Sequence, residues 1–200
     1  MKKHAGSKNE DTSQTTEVPE GKFYVGLPAE GCLVESVLGR YFAATSFMEF
    51  ALITCLSAAL GHGTGFDIAA AIFGPITSVS IKIDILEAVT KQAKLDEYRK
   101  NVILAACDTL RKVNSRRNMY AHGVFEHNKE GKIRLTSWAL QSNRKSSPEI
   151  LSPERIRGDI FSLDFVLNMA LFVSGVKTRE QIQPWIDRYE AVQAKDRRKK

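Results

Sequence analysis

A chain of 200 residues, 43% of them hydrophobic and 26% charged, has the make-up of an ordinary globular protein and excludes fibrous or wholly disordered classes. Folding at this length buries roughly 70% of the unfolded surface, which suits one well-packed domain and leaves little room for two. The formal net charge of +6 fits an acidic partner such as nucleic acid, although charge balance speaks of association and not of chemistry.

The first 30 residues are polar. They open with positive charge but carry no apolar stretch behind it, so they read as a disordered lead-in and not as a secretory signal. Residues 33–60 then hold a long apolar pattern without proline, expected as one helix and ended by the glycine-rich GHGTG at 61–65. Within it, residues 41–60 approach the length of a bilayer span, yet Glu49 sits in the middle, where a carboxylate would cost roughly 2.5 to 3.5 kcal/mol to insert. A buried helix of a cytoplasmic protein, with no membrane contact, is the better expectation.

Residues 67–92 place Ile72, Ile76, Val79, Ile83, Leu86 and Val89 at helical spacing, with a break or kink expected at Pro75. A third long helix carries Tyr98, Val102, Ala106, Leu110 and Val113 inward and stops at Gly123. Next, Asn128 to Gly131 separates two short β-prone runs, as in a hairpin over residues 124–138. An exposed loop is expected over 141–152, followed by a fourth helix that starts after Ser152-Pro153 and ends at Gly175. A short fifth helix over 178–194 and a solvated basic tail complete the chain. The expected fold is mainly α: a four-to-five-helix up-and-down bundle with a small β-hairpin after the third long helix. The division is 1–30 disordered, 31–176 helical domain, and 177–200 C-terminal helix and tail.

Cys32, Cys55 and Cys107 stand far apart, with no CxxC pair and no histidine at zinc-finger spacing, so neither a disulfide framework nor a metal site is indicated. No cofactor motif is present either: GHGTG lacks the lysine and following Ser or Thr of a phosphate loop. His4, His62 and His127 are not spaced as metal ligands. Arg144, Lys145, Arg155 and Arg157 could follow an RNA backbone, but scattered basic residues are more often a solvated face.

Chemistry concentrates in RNMYAHG at residues 117–123. Extending the apolar stripe of the third helix by one turn past Val113 lands on Arg117, which puts a guanidinium at a core-facing position and calls for an acidic partner, an anionic ligand or a cleft. Asn114 lies one turn earlier. Asn118 and His122, four residues apart, share a face. A guanidinium holds a phosphate through two parallel hydrogen bonds, and histidine takes and returns protons near neutrality; the pair suits phosphodiester transesterification without a metal. Arg117 and His122 are, however, five apart, roughly 140° around an ideal helix, so either the helix loosens before Gly123 or a second copy completes the site.

A helical domain with RNxxxH at the end of its third long helix resembles the HEPN superfamily, whose hallmark is an arginine, four to six residues, then a histidine, often with a polar residue directly after the arginine. The resemblance covers roughly residues 33–173. It implies a metal-independent endoribonuclease of toxin–antitoxin, abortive-infection or antiviral systems, working as a homodimer whose two motifs face each other. An antitoxin or regulatory protein would be a further partner. It implies catalytic roles for Arg117, Asn118 and His122 only; Asn114, Arg116 and Tyr120 are the neighbouring candidates for substrate contact, although an aromatic one turn after Arg117 is more often core. The competing expectation is a non-catalytic RNA- or protein-binding module of the same fold, with Arg117 paired to an internal carboxylate such as Glu49 or Asp84.

Overall fold

The apolar run over residues 33–60 does not form one helix. In the computed structural model, which describes residues 24–25, 33–61, 65–137 and 148–197, it parts at Ser46 into α1 (Leu33–Thr45) and α2 (Phe47–Leu60). The Thr45 hydroxyl donates to the Phe42 carbonyl at 2.7 Å and the Ser46 hydroxyl to that of Ala43 at 2.6 Å, taking acceptors that helical amides would otherwise use. The run is long and apolar enough to cross a membrane by length and composition. Its second half nevertheless packs inside the fold, with Met48, Leu52, Cys55 and Leu56 buried, and Glu49 forms an ion pair with the buried Lys82.

The break expected at Pro75 separates α3 (Gly65–Phe73) from α4 (Val79–Gln92), which Ser78 caps by accepting the Ile81 N–H. The third long helix of the sequence is α5 (Glu97–His122), capped by Asp96 through a 2.9 Å bond from the Arg99 N–H. At its end Gly123 is extended, not left-handed. Its glycine identity answers to space: a Cβ there would lie within 2.5 Å of the Met119 carbonyl oxygen and closer still to Leu135 Cδ1.

The hairpin forms as β2 (Gly123–His127) and β3 (Ile133–Ser137), around a turn in which the Asn128 side-chain oxygen accepts from the Glu130 and Lys132 amides. It is wider than expected. β1 (Tyr24–Val25) and β4 (Glu149–Leu151) pair antiparallel with its two edges, in the order β1-β2-β3-β4. Tyr24 and Val25 thus correct the expected disorder of residues 1–30 at those two positions, and Glu149 to Leu151 correct the end of the loop expected over 141–152; residues 1–23, 26–30 and 141–147 lie outside the described residues. Strands of two or three residues have no period to read and form only because hairpin edges offer unpaired amides and carbonyls.

The fourth expected helix is α6 (Pro153–Val173), capped by Ser152 and ended where Gly175 takes a φ of 81°. The fifth, α7 (Arg179–Arg197), starts with reciprocal bonds between Thr178 and Gln181 and runs on through part of the expected tail. α6 packs against α1, α2, α5 and α7, with Leu163, Phe165, Val166, Met169 and Val173 buried. The protein is therefore mainly helical with a small antiparallel sheet after the long helix. It has seven helices among the described residues, because two of the expected runs are each broken. Cys55 and Cys107 are free, buried thiols; burial pushes Cys107 up to about 12, which makes it a packing residue and not a nucleophile.

Candidate functional site at the end of the long helix

α5 stays α-helical through His122, so the loosening that would let Arg117 and His122 converge does not occur, and the two remain roughly 140° apart around the axis. Asn118 and His122 do share a face. All three side chains are exposed, which corrects the core-facing position expected for Arg117. The phase was right, since Val113 and Tyr120 on that stripe are buried. But Tyr41 of α1 occupies the space: its hydroxyl donates to the Val113 carbonyl at 3.0 Å, and its ring meets Tyr120 edge-to-face at 5.1 Å. The long arginine side chain reaches past this rim to water. Burial pushes the Tyr41 phenol well above its ordinary value, and the charges of Arg116 and Arg117 pull it part of the way back, which places Arg117 in electrostatic reach of that phenol.

The next-door arginine is treated in the opposite way. Arg116 is half-buried and donates from Nη1 to Glu149 Oε2 on β4 at 2.6 Å, while Arg155 Nε approaches the other oxygen at 3.6 Å. Burial works against the Arg116 charge, but the hydrogen bond and charge of Glu149, together with the charges of Asp159 and Tyr120, outweigh it and raise the guanidinium above its ordinary value. One turn on, Tyr120 donates to Asp159 Oδ2 of α6 at 2.6 Å. Burial raises the Asp159 carboxyl, against the Tyr120 hydrogen bond and the Arg116 charge; the Tyr120 phenol is pushed far up by burial and by the carboxylate it serves.

Of the three side chains expected to touch substrate, two are core residues. Tyr120 is 2% exposed, and Asn114, at 8%, donates to Ser80 Oγ at 3.2 Å. They position the helix end and do not meet solvent. Arg116 is accessible only in part and already engaged. The interior carboxylates offered as partners for Arg117 are taken: Glu49 pairs with Lys82, and Asp84 with Arg111 at 3.0 Å. Among the described residues, Arg117, Asn118 and His122 make no side-chain hydrogen bond or ion pair.

Sequence reasoning missed Glu149 and Asp159. Asp159 left a signal, a carboxylate one turn after Ile156 and one turn before Leu163 on the inward stripe of α6; Glu149 left none, because its role depends on the pairing of β4. No cluster able to hold a metal ion occurs among the described residues. Arg157 pairs with Glu154 at 3.4 Å, His127 lies in β2, and His4, Cys32, His62, Arg144 and Lys145 fall outside the described residues. The chain matches no family model, no curated protein and no solved structure.

Proposed function

We propose that this chain is a HEPN-type, metal-independent endoribonuclease, a cytoplasmic toxin or antiviral effector that works as a homodimer under the control of an antitoxin or regulatory protein. The observation that carries the reading is an unneutralised guanidinium: Arg117 stands exposed beside Asn118 and His122 in the last turns of α5, with no carboxylate claiming it among the described residues. A cation left unpaired next to a paired twin is available to a phosphate.

His122 accepts the proton of a ribose 2′-hydroxyl, whose oxygen attacks the adjacent phosphorus. The P–O5′ bond breaks, a 2′,3′-cyclic phosphate forms, and the leaving 5′-oxygen takes up a proton. Arg117 stabilises the charge gathering on the phosphoryl oxygens, and Asn118 orients the phosphate or His122 from the same face. Because the helix is regular, the two groups are drawn from different protomers, the arginine of one meeting the histidine of the other.

The test is cleavage of single-stranded RNA in the presence of a chelator by wild type, Arg117→Ala and His122→Ala, with the product ends identified. Cyclic phosphate ends from wild type and loss of cutting in both variants, at unchanged melting temperature, are expected. If wild type binds RNA but never cuts it, the non-catalytic binding module replaces this reading.

A further inference from the structure

A cleft of about 480 Å³ opens between α5, α6 and α7. That is within the size range of small-molecule sites, roughly 300 to 1,000 Å³. Lys112 of α5 and Arg188 of α7 line it from two different helices, and neither is ion-paired among the described residues. Arg188 is not a loose surface charge: its guanidinium is held 3.8 Å over the Phe161 ring, which itself stacks on Trp185 at 5.1 Å. The inner wall is apolar, with Val113 and Phe165. Asp159 also lines the cleft, with one oxygen committed to Tyr120 and the other taking no hydrogen bond among the described residues.

Arg116, Arg155 and Glu154 also line the cleft, but the two arginines are engaged by Glu149 and Glu154 by Arg157. The groups left over, two unpaired cations, an apolar wall and the second Asp159 oxygen, select a ligand with a phosphate at one end, a flat apolar body, and hydroxyl or amino donors along it. A simple anion would be repelled by Asp159, and an apolar ligand would leave both cations desolvated. We propose that this cleft binds a nucleotide unit, with the phosphate between Lys112 and Arg188 and a ribose hydroxyl or base amino group donating to Asp159. The unit is either a free nucleotide or one residue of an RNA strand. The site is separate from Arg117 and His122 and stands whether or not those residues cut RNA.

Calorimetric titration of the full chain with AMP, and anisotropy of a fluorescent 2′-O-methyl oligouridylate that resists cleavage, test it. AMP binds wild type, and Lys112→Ala and Arg188→Ala each weaken it about tenfold or more, the scale of one charge-assisted hydrogen bond. Both residues are exposed, so the variants fold. In an Arg117→Ala background the same two substitutions weaken AMP binding by the same factor. Displacement of the oligouridylate by AMP in the Arg117→Ala variant, lost when Lys112→Ala is added, identifies the occupant as part of a strand; AMP binding without such displacement identifies a free nucleotide. Absence of AMP binding at millimolar concentration, affinities indifferent to Lys112 and Arg188, or equal affinity for AMP and inorganic phosphate would each overturn the proposal.

Discussion

Arg116 and Arg117 are neighbours of the same chemistry on the same helix, and the fold uses them in opposite ways. One is closed in by Glu149 and ties α5 to β4, beside a Tyr120–Asp159 hydrogen bond that ties the same turn to α6 and the Tyr41 ring that covers it. The other points outward with Asn118 and His122 and is tied to nothing described. A closed flank that holds the helix end still and an open flank that meets a ligand are what a preorganised site requires, since reacting groups must be held within a fraction of an ångström by partners that do not take part.

The sharpest break of this comparison is to remove each arginine in turn. Arg117→Ala is expected to lower the RNA cleavage rate by about 10²- to 10³-fold, the scale of losing one transition-state donor, while changing stability by less than ~0.5 kcal/mol. Arg116→Ala should do the reverse in kind, costing about 1 kcal/mol of stability by stranding Glu149 and affecting cleavage only through the helix end. Chemical denaturation beside rate measurements separates them; equal losses of rate would erase the distinction between the two flanks.

Next in size is Gly123→Ala. With no room for a Cβ between Met119 and Leu135, the junction of α5 and β2 must shift, at about 1 to 3 kcal/mol. A variant as stable as wild type would show that the close approach is unimportant. Tyr120→Phe should cost about 1 kcal/mol by removing the donor to Asp159, seen as a lower melting temperature with an unchanged far-ultraviolet spectrum.

The smallest effect is in pH. Burial raises the Asp159 carboxyl above its ordinary value of 3.8, so ionising it disfavours the folded state. The associated stability is whole below 3.8 and is lost as pH rises through the raised folded value. Asp159→Asn cannot ionise and keeps an acceptor for Tyr120, so its melting temperature should gain on wild type as pH climbs through that window. Parallel curves for the two proteins would mean that Asp159 is not strained by burial.

Much of the helical frame was legible because its punctuation is local. Ser152-Pro153, Pro75 and Gly175 each act through the backbone within a turn of where they stand, and the motif at residues 117–122 was rightly placed at a helix end. The break at Ser46 was not, because the apolar pattern continues across it and only the hydroxyl bonds to Phe42 and Ala43 mark it. The orientation of Arg117 failed for a different reason. Helical phase says which way a residue faces, but not how far the covering element extends or that Tyr41, 76 positions earlier, already fills the rim. The Arg116–Glu149 pair spans 33 residues and a strand with no period of its own, so nothing in the local pattern announces it.

The central claim is that a regular helix forces the arginine and histidine of one site to come from two copies of the chain. It is tested most directly by co-expressing Arg117→Ala and His122→Ala with different tags and assaying the mixture in chelator. Half the dimers would then be mixed and each would carry one intact site, so cleavage should return to about a quarter of the wild-type rate, from two parents that are each inactive. A purified mixed dimer as inactive as its parents would contradict it.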